Sequence, residues 1–396
     1  MNKMRDLLSK TLVVGVIVLF VGLCVQPTTA NVNNSSGYIQ DLIDNASDGD
    51  IIYIPSGIYY ENIIIDKSIS LIGEDKNSTI IDGSGIGDVI KIIADNVYIS
   101  EFTIRNCSSL SPYNDAGVSI KSNYNTIIDN IITLNNENGI RLSNSKYNEI
   151  KSNIITLNIR DGIEIVNSNF NIIENNTITL NKDDGVIFVN SKRNTIKDNT
   201  ISRNKEAGIG SVDSRSNIIE RNIISLNHDG VLLSSCNYNK FKKNRIFNNK
   251  NGMILANCHF TTISNNIIDS NNHTGITIKY LPYWLWGFVP KMLHSRFNIV
   301  MFNNISNNGW YGVFLDYSNF NYFIKNNFQD NREDAYFKFM VNNRWKRNYW
   351  SKPRVFPKLI FGIYFIDLND FNGFQVFITW FNIDWFPAKE PYDIGV

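Results

Sequence analysis

The sequence predicts an all-β fold: a right-handed, single-stranded parallel β-helix with a short N-terminal capping helix and an aromatic-rich C-terminal cap. Three observations predict it. Asparagine recurs every 22 or 23 residues at Asn125, Asn148, Asn171, Asn194, Asn217 and Asn239, with Thr261 next and Asn298 and Asn321 resuming the series. A second column holds Asn130, Asn153, Asn176, Asn199, Asn222, Asn244, Asn266, Asn304 and Asn327, and a third runs from Gly139 through Gly162, Gly185, Gly208, Gly230, Gly252 and Gly275 to Gly312. Apolar residues alternate within each phrase, as in Ile140 and Leu142 or Val186 and Phe188, which is the period of a strand.

Residues 1–30 read as a signal peptide. Lys3 and Arg5 precede an apolar run from Leu12 to Val25 and the small residues Thr28-Thr29-Ala30. That run is shorter than the ~20 residues that span a bilayer, so no permanent transmembrane segment is expected once it is removed. Residues 31–60 are expected to hold the cap and first strand. From Gly37 to Ser47 the residues Ile39, Leu42, Ile43 and Ala46 share one helix face, and Ile51 to Pro55 follows as a strand. The helix would cover the open apolar cross-section of the solenoid.

Residues 61–335 are assigned to coils, regular over 117–335. Each supplies about three short strands, with Ile127, Ile150, Ile173, Ile196, Ile219, Phe241 and Ile263 stacked inside as one column. Asparagines are placed at the corners, where they tolerate a left-handed backbone and each amide bonds the same amide one coil away. An insertion at 280–297 lengthens one connector by 14 residues and carries Tyr283, Trp284 and Trp286. After about Glu333 the asparagine series is expected to end, and 336–396 form the upper cap, rich in Trp345, Tyr349, Trp350, Trp380 and Trp385.

Charge excludes one class of partner. With 38 Lys and Arg against 37 Asp and Glu, the chain lacks the basic excess that nucleic acid demands.

The stretch Tyr38 to Ser47, Gly49-Asp50, Gly57, Lys67-Ser68-Ile69, Gly73, Thr79 to Gly83 and Phe102-Thr103-Ile104 resembles the opening of the pectin-lyase-like β-helix superfamily. With the Asn-rich coils it most resembles the NosD-type branch of exported proteins labelled periplasmic copper-binding. The tail phrases Asn348-Tyr349-Trp350 and Asp384 to Ala388 are similar to the endings of exported archaeal β-helix proteins. The resemblance implies the fold; the superfamily holds lyases, hydrolases, epimerases and proteins without chemistry, so it does not choose an activity.

Several constellations are candidates for chemistry. Asp161, Asp184 and Asp229 precede glycines in one column, and Asp161 and Asp184 on adjacent coils, ~5 Å apart, suit a glycosidase pair or a shared calcium. Asp-Gly turns explain the same residues without function. Arg160 beside Asp183 suits a lyase, or a surface ladder of ion pairs. Cys236 and Cys258 continue the column of Ser145, Ser168, Ser191 and Ser214. They read as part of a small-residue ladder, as a disulfide, or, with His259, as soft ligands for copper. Tyr283, Trp284 and Trp286 suit sugar stacking. The reading taken forward is an exported, non-catalytic protein binding polysaccharide or cell-envelope material or serving as a NosD-type accessory, with a polysaccharide lyase or hydrolase as the alternative.

Overall fold

The computed structural model describes residues 37–108, 115–280, 295–339, 342–354, 356–368 and 374–395. The signal-peptide segment and Tyr283, Trp284 and Trp286 lie outside them. The described chain is a right-handed parallel solenoid of about 13 turns. Strands β1 (Ile51–Ile54), β2 (Gly57–Tyr60) and β3 (Ile63–Ile65) begin three faces, and every later coil adds one strand to each. We call these faces the first, second and third sheets. Among the described strands pairing is parallel, except for the hairpin Lys358–Leu368 and Phe374–Asp384, which joins the first and third sheets at the upper end.

The register follows from the sequence columns. Ile127, Ile150, Ile173, Ile196, Ile219, Phe241 and Ile263 pair in succession and are wholly buried. Each stacked side chain contributes roughly 1.5–3 kcal/mol from burial, enough to drive coil upon coil. The helix spans Tyr38–Asn45 and buries Ile39 and Ile43. Its free N–H groups at Ile39 and Gln40 donate to the carboxylate of Glu61, in the first coil, which fixes the cap to the solenoid.

The corners correct part of the expectation. Each ladder asparagine is preceded by the residue that adopts the left-handed backbone, as Ser152 (φ 52°) precedes Asn153 and Asn175 (φ 56°) precedes Asn176. That preceding residue turns the chain, and the asparagine side chain then lies inside the corner. There Asn153 donates through both its backbone N–H (2.9 Å) and its Nδ2 (3.1 Å) to Asn176 Oδ1. Past the insertion the second column runs through Asn303 and Asn326 rather than Asn304 and Asn327, with Asn266 N and Nδ2 each 2.9 Å from Asn303 Oδ1. Asn304 and Asn327 begin strands instead.

A third ladder, unread in the sequence, fills the corner before the third sheet. It comprises Asn135, Asn158, Asn181, Asn204, Asn227, Asn249, Asn271, Asn308 and Asn331. The series also outlasts Glu333. Asn321 bonds Asn343, and Asn326 bonds Asn348, whose Nδ2 donates to Asp384 Oδ2 at 3.0 Å. Asp384 ends the second ladder from the hairpin, accepting also from Trp350 Nε1. Trp345 and Trp350 stack on Phe323 and Phe328 at 4.1 and 4.5 Å, so the cap closes the core with rings.

Candidate functional site

The outer face of the third sheet gathers the acidic residues singled out in the sequence. One column there reads Asn138, Asp161, Asp184, Ala207, Asp229, Asn251, and the neighbouring one carries Glu137, Arg160 and Asp183. Asp161 and Asp184 are 4% and 9% exposed, and they behave as rungs of a ladder. The Asp161 N–H donates to Asn138 Oδ1 (3.1 Å), the Asp184 N–H to Asp161 Oδ1 (3.0 Å) and the Ala207 N–H to Asp184 Oδ1 (2.7 Å). Burial pushes Asp161 well above the usual carboxylate range, and the neighbouring Asp184 adds to it. Burial likewise raises Asp184 to about 7, against the opposing hydrogen bond from Ala207.

Tight Asp-Gly turns do not explain this column. The glycines that follow are not left-handed, and what they lack is room: a β-carbon on Gly185 would sit 2.6 Å from the Gly208 carbonyl oxygen and 2.6 Å from Ile201 Cγ2. Arg160 lies between Glu137 (3.7 Å) and Asp183 (3.8 Å), the geometry of a loose surface ion-pair ladder. A tighter pair, Arg141 Nε to Glu164 Oε2 at 2.7 Å, stands beside it and takes a further bond from Asn138. Asp229 accepts from Asn251 Nδ2. Among the described residues no group of three or more His, Cys, Asp and Glu is placed to hold a metal ion.

Cys236 and Cys258 are free, wholly buried thiols in the serine ladder. Cys236 Sγ donates toward Ser211 and Ser234, and the Cys258 N–H donates to Ser295 Oγ. Burial raises Cys258 and takes Cys107 to about 12, while the hydrogen bond with Cys258 lowers Cys236, so that at Cys236 it is enclosure in the core that keeps reagents out. His259 sits outside this ladder, in the next column, bridged to Asn237 and Arg296. The folded protein is therefore expected to take up no iodoacetamide at any of these three thiols without denaturant, as mass spectrometry would read. Rapid labelling of Cys236 and Cys258 would show that the coil opens there.

Towards the upper end the same face changes character. Trp310 is 49% exposed and stacks on His273 at 4.3 Å with 13° between the planes. Tyr311 lies 5.5 Å from Phe314 and 5.4 Å from Tyr336, and the Lys338 ammonium stands 5.8 Å over Phe314. Trp310, Tyr311, Arg332 and Glu333 line a concavity of about 420 Å³. This arrangement offers ring faces flanked by a guanidinium and a carboxyl, the surface a pyranose meets with its C–H face and its hydroxyls. The inserted loop departs after Lys279, one coil below this platform, since Ile276 pairs with Val313.

Sequence reasoning missed the platform although the signal was present. Trp310-Tyr311 precede Gly312 as Asp183-Asp184 precede Gly185. Following those two columns across the insertion reaches Trp310 and Tyr311 directly.

Comparisons with known proteins agree on architecture. The family described as right handed beta helix region matches residues 76–233 and 183–282, together more than half of the chain. A search of curated protein sequences finds no match. Among solved structures, the chain is similar to the Azotobacter vinelandii mannuronan C-5 epimerase AlgE6 A-module, with 16% identity, TM-score 0.63, and 79% of this chain and 93% of that one covered. It is also similar to the periplasmic alginate epimerase AlgG, with 17% identity, TM-score 0.53 and 75% and 82% covered. A mannuronic acid specific polysaccharide family 6 lyase from human gut microbiota matches with 12% identity, TM-score 0.54 and 76% and 84% covered. At these identities the likeness is one of fold. Among the described residues no helix is long and apolar enough to cross a membrane. The chain belongs to the right-handed β-helix family.

Proposed function

We propose that this is an exported β-helix protein that binds polysaccharide along the outer face of its third sheet, without cleaving it. The observation that carries the reading is the platform of Trp310, Tyr311, Phe314 and Tyr336 beside a concavity lined by Arg332 and Glu333. Coils rise ~4.8 Å each, close to the advance of one sugar unit, so a polymer lying along the solenoid axis meets equivalent positions on successive coils. Neighbours of the same fold act on alginate or on mannuronic acid polymers, which supports carbohydrate as the partner class. The non-catalytic reading rests on the acidic column, where Asp161 and Asp184 each spend one oxygen on the backbone of the next coil and stand largely out of solvent.

The test is affinity electrophoresis and calorimetry of the exported chain against polymannuronate, polygalacturonate and neutral glucans. Trp310→Ala is expected to weaken binding at least tenfold, the scale of one lost stacking contact at ~1.4 kcal/mol, with circular dichroism unchanged. Wild-type affinity in that variant would remove the platform. Release of unsaturated or reducing ends during incubation would replace binding with a lyase or hydrolase acting from the Asp column.

A further inference from the structure

A second site is built into the corner between the third and first sheets. In every regular coil, the residue before the first asparagine ladder adopts a left-handed backbone. Its side chains form a stack along the outside of the solenoid. Tyr124, Tyr147 and Phe170 follow one another at 5.1 Å, and the Arg193 guanidinium continues 5.5 Å over Phe170. Tyr238, Phe260, Phe297 and Phe320 resume at 5.0, 5.3 and 5.6 Å. Between the two runs stands Ser216, the one rung from Tyr124 to Phe320 with neither ring nor guanidinium. Arg193 and Tyr238 are therefore separated by two coil spacings, about 10 Å, which leaves room for one ring stacked at the ordinary distance from each.

The turns just before the gap are concave: Asn190, Lys192, Asp213, Arg215 and Asn237, among others, line about 440 Å³ on the side of Lys192 and Arg215 away from the rung itself, with two cations against the one carboxylate of Asp213. Lys192 and Arg215 are bridged as neighbouring rungs of the next column. Neither takes part in an ion pair among the described residues. Elsewhere on this surface stacked charges are paired across coils, as Arg221 with Asp198 and Lys242 with Glu220. Two cations side by side, next to an empty rung, form a complement to a ring that bears an anion.

We infer that the gap at Ser216 binds one acidic sugar ring, a pyranose carrying a carboxylate or a sulfate. The ring takes the place of the missing rung between Arg193 and Tyr238, and its anion meets Lys192 and Arg215. This site lies at a different corner from the Trp310 platform and stands whether or not that platform binds sugar.

The experiment uses the full exported chain carrying Trp310→Ala, so that the platform contributes nothing, titrated by calorimetry with galacturonate oligosaccharides, sulfated dextran oligosaccharides and neutral dextran. Ser216→Tyr completes the stack and keeps both cations; Lys192→Gln with Arg215→Gln keeps the slot and removes the charge. Each is expected to weaken binding of the preferred acidic sugar at least tenfold, with Ser216→Tyr raising the thermal midpoint as a sign of a completed ladder. The two acidic arms decide between carboxylate and sulfate. Unchanged affinity in Ser216→Tyr overturns the site even if the charge variant binds weakly, because attraction to a bare cationic patch would then suffice. Equal affinity for neutral dextran, or no binding of either acidic sugar, overturns it as well.

Discussion

Asp184→Asn is expected to raise the unfolding free energy at about pH 8 by on the order of 2–4 kcal/mol, and to leave it nearly unchanged at about pH 3. Burial lifts the Asp184 carboxyl to about 7, far above an unfolded aspartate. A carboxyl whose pKa is raised by folding gives stability that is fully present below its unfolded pKa. That stability is lost as pH rises through the folded value. The window therefore runs from about pH 4 to about pH 7, and Asp161, whose carboxyl burial also raises, adds a contribution of the same sign. Asparagine removes the titration while keeping the oxygen that accepts the Ala207 N–H at 2.7 Å. The fold already uses this solution one coil from Asp161, where Asn138 Oδ1 accepts the Asp161 N–H. Urea unfolding followed by circular dichroism across this range gives the answer. Parallel curves for wild type and variant would mean that the carboxylate is ionised and solvated in the folded chain.

The solenoid was legible because its determinants repeat. Ile127 to Ile263 declare one buried column, and the asparagines declare the corners, since each position is sampled many times along one chain. The first error came where two candidates stood side by side. In Asn303-Asn304 and Asn326-Asn327 composition cannot tell which residue turns inward, and the left-handed residue before it, Phe302 or Lys325, decides. The third ladder, Asn135, Asn158 and Asn181, follows Leu134, Leu157 and Leu180 at the same 23-residue step, and it went unread because the glycine column four residues on, Gly139, Gly162 and Gly185, was taken as the third mark of the repeat.

The candidate site was less legible for a physical reason. Aspartates before glycine look like turn residues or like a catalytic pair, and only the direction of each carboxyl oxygen, toward the next coil's N–H, separates these from a ladder rung. The platform depends on which face Tyr311, Phe314 and Tyr336 share, which becomes visible only when strands on either side of the insertion are placed in register. The gap at Ser216 is the reverse case, since its column stands one residue before the first asparagine column in the sequence, and the left-handed backbone of those residues is what turns their rings into a stack with one member missing.

Asn176→Leu is expected to cost about 4 kcal/mol or more. The Asn176 side chain makes five hydrogen-bonding contacts, the two hydrogens of its Nδ2 being shared among three acceptors. Its Oδ1 accepts from Asn153 N (2.9 Å) and Nδ2 (3.1 Å), and its Nδ2 donates to Ile150 O (2.8 Å), Glu174 O (3.0 Å) and Asn199 Oδ1 (3.0 Å). Leucine has the same branching and is somewhat larger, so no cavity accounts for the loss. What it leaves is a set of buried donors and acceptors in two neighbouring coils, each costing roughly 1–3 kcal/mol when unpaired, partly recovered as coils relax. The ladder also holds Asn175 in its left-handed conformation (φ 56°), a strain of order 1 kcal/mol that the corner must offset. Thr177→Leu supplies the control, one residue away and exposed, and is expected to change stability by less than about 0.5 kcal/mol. If thermal and urea midpoints moved equally for both variants, the corner amides would be exchanging with water in the folded chain, and the stacked isoleucines alone would hold the solenoid together.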